Sequence, residues 1–154
     1  MIHGWRLVKS RYAAAAFDGE GARLNGGRWN SPGTLVAYAS DSVALATLEV
    51  LAHLQSTAVL ASYSLASLRF PQELVQELGV SALPARWRRF PAPPEVQAVG
   101  DRWLRELRSA VLRVPSAIIP SNHNFLLNPA HPDFAKVMIE LPTPFEFDPR
   151  LLGP

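Results

Sequence analysis

Four polar side chains stand where the sequence is otherwise apolar or backbone-tight, and each is of a type that does chemistry. Arg28 lies in Gly26-Gly27-Arg28-Trp29-Asn30, where two glycines let the backbone pass close to a ligand or another segment. A guanidinium there is suited to a bidentate grip on a carboxylate or phosphate; anchoring a loop through backbone carbonyls is the plainer alternative. Tyr38 closes a short apolar run and is either an ordinary strand aromatic or a flat face for a ring. Glu49 is the only charge in Val43-Ala44-Leu45-Ala46-Thr47-Leu48-Glu49-Val50-Leu51. Burying it unpaired would cost several kcal/mol, so it either pairs with an Arg such as Arg28 or Arg6 or walls a cleft. Ser116, between Pro115 and Ala117-Ile118-Ile119, can orient a neighbouring carboxylate or simply cap a strand entry.

The elements that must position these groups are unlike one another, with no internal repeat. A first strand is expected over Ile2–Val8, then a loop from about Ala16 to Pro32 broken by Gly19, Gly21, Gly26 and Gly27. A long loop in a small domain is usually functional. Leu35–Ala39 reads as a strand, and Ser40 or Asp41 is the expected cap of a helix over Ser42–Leu54. Thr57–Leu65 reads as a strand, Pro71–Leu78 as a short helix closed by Gly79, and Leu83–Pro94 as an irregular crossover. A helix over Glu95–Leu112 places Val96, Val99, Trp103, Leu107 and Ala110 on one stripe. Ala117–Ile119 and Lys136–Leu141 read as closing strands, the second with Val137, Ile139 and Leu141 inward. Mixed elements without a βαβα rhythm predict an α+β fold with a mixed or antiparallel sheet.

A chain of 154 residues fits one compact domain, 1–154. An apolar fraction of 48% with 18% charged residues excludes disorder, and no apolar run is long enough for a membrane helix. No Cys is present, which removes disulfides, thiol nucleophiles and Cys-based metal sites. The opening MIHGWRLVKSRY lacks an apolar leader core, so a cytoplasmic protein is expected. Of the 15 basic residues only Lys9 and Lys136 are Lys, yet the net charge is just +2. That balance fits a local cationic clamp better than a basic surface.

Several of these segments occur together and in order in one known family. Gly27-Arg28-Trp29-Asn30, Val36-Ala37-Tyr38-Ala39-Ser40, Leu48-Glu49-Val50-Leu51, Val114-Pro115-Ser116 and Asn124-Phe125-Leu126-Leu127-Asn128-Pro129 resemble the RES-domain toxins. The Arg, Glu and Ser that give that family its name match Arg28, Glu49 and Ser116. The resemblance implies an NAD+-consuming toxin of a toxin–antitoxin pair, with an ADP-ribosyltransferase-like core and a Xre-like helix-turn-helix antitoxin as partner. It also implies that Arg6, Arg23 and Arg28 contact the dinucleotide, with Tyr38, Glu49 and Ser116 completing the site; the chemistry needs no metal.

The chemistry of the residues agrees with that class. Cleaving a nicotinamide–ribose bond expels a neutral leaving group, so no general acid is required, and one carboxylate beneath the sugar can stabilise oxocarbenium-like charge. Glu49 suits that role, Arg28 with Arg6 or Arg23 suits a pyrophosphate, and Tyr38 offers a face to the nicotinamide ring. Water, phosphate or a protein could each accept the ADP-ribosyl group. Asn124 is a further substrate contact, with an Asx-type turn as the alternative.

Other signals point elsewhere only weakly. Gly19-x-Gly21 and Gly26-Gly27 do not follow a strand as a dinucleotide-fold fingerprint must. His123 and His131 with Asp133 would need to converge to hold a metal. Seven Arg between Arg86 and Arg113 form a solvated face, a docking surface for an acidic partner, or the contact surface of a nucleic-acid-binding module.

Overall fold

The computed structural model describes residues 1–54 and 62–153. Among them, strands β1 (Ile2–Lys9), β2 (Ala37–Ser40), β3 (Tyr63–Phe70), β4 (Val75–Glu77), β5 (Val111–Pro115), β6 (His123–Leu127), β7 (Met138–Ile139) and β8 (Thr143–Phe145) form one sheet. Its order is β4-β5-β6-β2-β1-β3-β7, with β8 also on β3. Among the described residues only the β4–β5 pair is parallel. With helices α1 (Glu20–Asn25), α2 (Val43–His53) and α3 (Pro94–Glu106), the fold is the expected α+β class.

Alternation along the central strands divides the core between two sheet faces. Val111, Phe125, Leu127, Ala37 and Ala39 join Ala66, Leu68 and Phe70 in one cluster. Leu112, Val114 and Leu126 join Trp29, Trp87, Val96, Trp103 and Leu104 in the other, beneath α3. At about 25 cal/mol per Å² of apolar surface, these buried aromatic and aliphatic side chains dominate the stabilisation.

One departure from regular pairing makes room for a site. β1 pairs with β3 along its whole length, from Ile2↔Phe70 to Lys9↔Tyr63. It meets β2 only at Trp5↔Ser40. Beyond Trp5 the two strands separate, and Arg6 to Lys9 line the opening between them. Helix α2 packs against β1 and β2 beside this gap. Ser42 caps it, its hydroxyl accepting from the Leu45 N–H at 3.0 Å.

Several boundaries differ from expectation for physical reasons. The expected loop over Ala16–Pro32 contains α1, whose ends are set by Gly19 at φ 80° and Gly26 at φ 73°. The cap of α2 is Ser42 rather than Ser40 or Asp41, and the helix itself is Val43–His53. The strand expected at Thr57–Leu65 begins at Tyr63 and runs on to Phe70; residues 57–61 lie outside the described residues. In place of a helix over Pro71–Leu78 there is a 3-10 turn, Gln72–Leu74, followed by β4. The helix expected to reach Leu112 stops at Glu106, where Leu107 takes the left-handed conformation at φ 52°. Its last residues, Val111 and Leu112, belong to β5. Ala117–Ile119 is no strand, because β5 ends at Pro115 and the chain bends after Ser116. Of Lys136–Leu141 only Met138–Ile139 pairs with β3. Val137 packs on the core, but Ile139 and Leu141 are exposed rather than inward.

Candidate active site

The gap between β1 and β2 opens into a cleft of about 1430 Å³, larger than the roughly 300–1,000 Å³ of ordinary small-molecule pockets. Arg6, Arg28, Tyr38, Glu49 and Asn124 all line it.

Glu49 projects from the fifth-last position of α2 with one carboxylate oxygen held from two sides. Asn124 Nδ2 donates to its Oε1 at 2.8 Å, and Ser116 Oγ donates to the same atom at 3.3 Å. Ser116 is fully buried. Its oxygen accepts the N–H groups of Ile118 (3.1 Å) and Ile119 (3.2 Å), so its single O–H is left for Glu49. Neither Arg28 nor Arg6 pairs with Glu49: among the described residues Glu49 forms no ion pair within 4.0 Å, and its Oε2 takes no hydrogen bond. The carboxylate is oriented but not neutralised, which suits stabilisation of positive charge in the cleft.

The two cleft cations are anchored differently. Arg6, on β1, donates from Nη1 to the Ala16 carbonyl at 2.6 Å. Burial lowers its pKa, against the opposing pull of Asp18 and Tyr38. Arg28 donates from Nη1 to the carbonyls of Trp87 (2.9 Å) and Arg89 (2.8 Å), and so ties the 84–93 crossover to the cleft wall. Burial also lowers its pKa, opposed by Glu49 and Tyr38. Of the alternatives read for Arg28, the loop anchor is present: one nitrogen bonds two backbone carbonyls while the side chain lines the cleft. An arginine remains charged in either setting.

The Arg28 segment is fixed from beneath. Gln97 Nε2 donates to the Gly27 carbonyl at 2.9 Å, and Asp101 accepts from Ser31 N (3.0 Å) and Oγ (2.5 Å). Gly27 has no room for a side chain, since a Cβ would lie 2.8 Å from the Tyr38 hydroxyl. That hydroxyl donates to Asn30 Oδ1 at 2.5 Å and accepts from Trp29 N at 3.3 Å. Desolvation, the largest influence, pushes the phenol well above its usual range. Tyr38 therefore stays neutral, with its hydroxyl bonded on both sides and its side chain packed against the core beside the cleft.

Two further assignments separate from this group. Arg23 does not line the cleft; it pairs with Glu20 one turn away on α1, donating from Nε at 2.9 Å. His123, His131 and Asp133 do not converge. His131 Nδ1 accepts from Asp133 N, Asp133 pairs with Lys136, and His123 meets Arg113 and Asp41. Among the described residues no group of three or more His, Cys, Asp or Glu side chains is arranged to hold a metal ion. Two contributors carry no chemical motif in the sequence: Gln97, and Ser40, whose hydroxyl donates to Asn124 Oδ1 at 2.9 Å. A small polar residue at the last position of an apolar strand was the one available signal for Ser40.

Comparison with known proteins decides the family. The RES domain matches residues 3–148, which include every candidate residue above. The chain belongs to the RES-domain toxin family. This RES toxin is 38% identical to Toxin Res of Yersinia enterocolitica over 96% of its own length and 97% of that protein. It is 35% identical to the Prs ADP-ribosylating toxin of a Sphingobium species, over 96% and 95% respectively. In fold it is similar to a chain of the M. tuberculosis MbcT–MbcA toxin–antitoxin complex, with a TM-score of 0.77 at 21% identity, covering 93% of this chain and 83% of that one. No helix among the described residues is long and apolar enough to cross a membrane.

Proposed function

We propose that this RES toxin consumes NAD+ by breaking the bond between nicotinamide and ribose, and that an antitoxin of the Xre-like helix-turn-helix type neutralises it in the cytoplasm. The observation that carries the reading is Glu49: a carboxylate on a large cleft, oriented by Asn124 and Ser116, sharing that cleft with Arg6 and Arg28 without being paired to either. A chelated ion pair would have spent that charge on structure.

In this reading the Glu49 carboxylate sits beneath the nicotinamide ribose. The C1′–N bond breaks heterolytically, its electron pair leaves with nicotinamide, which becomes neutral, and positive charge develops on the ribose. Glu49 stabilises that charge. A nucleophile then bonds to C1′ and releases its proton. Arg6 and Arg28 hold the pyrophosphate, the Tyr38 ring borders the nicotinamide, and Ser116 and Asn124 keep Glu49 aimed. No step calls for a metal ion.

Water or phosphate is the acceptor in the primary reading, which drains the cofactor. Transfer to a protein is a second reading, favoured by the likeness to a relative named a Prs ADP-ribosylating toxin. An antitoxin segment seated in the cleft near Arg28 would silence either reaction by occupying the substrate's place. Exposed Tyr12, Leu24 and Phe90 at the cleft supply apolar area for such a segment.

The test is direct. Purified protein incubated with NAD+ should release free nicotinamide, and Glu49→Gln should lower that rate by about 10²–10³-fold, as loss of one preorganised electrostatic group does elsewhere. Unchanged turnover in Glu49→Gln would overturn the assignment, and labelled NAD+ left on protein would select the transferase reading.

A further inference from the structure

Ser40 is the residue of β2 that pairs with strands on both of its sides, and it lines the cleft. It is the last residue of β2, it forms the one ladder pair between β2 and β1, with Trp5, and it pairs with Asn124 of β6. Its side chain is buried, and its hydroxyl bonds Asn124 Oδ1 at 2.9 Å.

The donor and acceptor roles along this chain of bonds admit one arrangement. Ionised Glu49 only accepts, so Asn124 must face it with its NH2 group. The amide oxygen then points at Ser40, whose O–H must donate. Glu49 thus sets which end of the Asn124 amide it meets, and the Ser40 hydroxyl holds the other end in place. With the amide reversed, a carbonyl oxygen would lie near 2.8 Å from the carboxylate, and the two acceptors would repel.

We propose that Ser40 is a positioning residue of this active site, acting through Asn124 to keep Glu49 in its productive orientation. The proposal rests on the reading of Glu49 given above. Ser40 touches no reacting atom in it. Its hydroxyl fixes the amide, the amide fixes the carboxylate, and a loss of the hydroxyl frees the amide to rotate.

The experiment is a double-mutant cycle of Ser40→Ala and Asn124→Ala, scored by nicotinamide release and by the side-chain amide signals of Asn124 in ¹⁵N-labelled protein. Ser40→Ala should lower kcat about tenfold while KM for NAD+ changes less than twofold, and Ser40→Thr should restore kcat. In the Asn124→Ala background Ser40→Ala should cost little further. The restrained Asn124 amide pair of the wild type should shift and broaden in Ser40→Ala and return in Ser40→Thr. Unchanged kcat in Ser40→Ala, or an equal loss in both backgrounds, would overturn the proposal. If the Ala variant does not fold, Ser40→Cys against Ser40→Thr decides, since a thiol is a weak donor: equal kcat overturns the relay and a large deficit in Cys supports it. Failure of the wild type to release nicotinamide would instead overturn the NAD+ reading, and the amide signals would then still decide the relay.

Discussion

Ser116 and Glu49 lie 67 residues apart in sequence, and the hydroxyl of the first reaches the carboxylate of the second at 3.3 Å while accepting two backbone N–H groups of its own turn. One oxygen thus shapes the bend after β5 and aims the carboxylate. Its removal should be felt in both fold and activity. Ser116→Ala leaves the Ile118 and Ile119 N–H groups without their partner, at a cost of about 1–3 kcal/mol. Urea denaturation should show that loss, together with reduced nicotinamide release. Glu49→Gln should separate the two effects, since the Gln side-chain oxygen still accepts from Ser116. Its stability should stay near wild type while activity falls.

Arg28 gives a prediction about substrate affinity. Its Nη1 spans two carbonyls, of Trp87 and Arg89, leaving the rest of the guanidinium at the cleft. A lysine cannot reproduce the planar fork. Arg28→Lys should raise KM for NAD+ by about tenfold, the loss of roughly 1.4 kcal/mol of binding, with a smaller effect on kcat. Limited proteolysis should also cut the 84–93 crossover sooner. Wild-type KM together with wild-type proteolytic resistance would show that Arg28 serves neither task.

The sequence made some of this legible and hid the rest for identifiable reasons. A lone Glu in an apolar helix, an Arg behind two glycines and a Ser after a proline are local signals, and the fold brings Glu49 and Ser116 into contact and Arg28 into the same cleft. Arg23 looked equivalent to Arg6, but nothing local distinguishes a cleft arginine from one that meets Glu20 a single turn earlier. The end of α3 was hidden because Leu107 and Ala110 continue its apolar period, although Leu107 turns left-handed and half-exposed and Ala110 leads into β5. β5 is buried on both faces, so its apolar run carries no period-2 mark. β6 was missed for a related reason: its first residues, His123 and Asn124, are polar because they face Arg113 and Glu49.

Tyr38 sets a pH limit on stability. Its hydroxyl is enclosed by Asn30 and Trp29 N, and burial raises its pKa in the folded state above the unfolded value near 10. Between those two values the folded protein holds a proton that the unfolded chain has lost. The stability this group contributes is therefore complete below about pH 10 and declines as pH rises further. Urea midpoints measured from pH 8 to 11 should fall at the alkaline end. Tyr38→Phe should be less stable at pH 8 by about 1 kcal/mol, since Asn30 Oδ1 loses its donor, and should show a shallower alkaline decline. An equally steep decline in Tyr38→Phe would assign it to other groups.

Gly100 tests how α3 supports the site. A Cβ built there would lie 1.7 Å from the Trp29 carbonyl oxygen, far inside van der Waals contact, and backbone cannot swing aside as a side-chain tip can. An alanine must therefore push the helix away from the segment that carries Arg28. That movement also strains the bond from Gln97 to the Gly27 carbonyl and the pair of bonds from Ser31 to Asp101. Overpacking usually costs about 1–3 kcal/mol, and a clash with backbone belongs at the upper end of that range or above it. Gly100→Ala should lower Tm by several degrees, since about 1 kcal/mol shifts Tm by roughly 2–8 °C in domains of about 60–250 residues. Surviving folded protein should have a raised KM for NAD+, because the displaced segment holds Arg28. Gly79→Ala is the matching control: nothing closer than 3.9 Å faces a Cβ there, its φ is −85°, and its Tm and KM should match wild type. Equal Tm values for the two variants would mean that α3 and the Arg28 segment are not packed as tightly as their geometry requires.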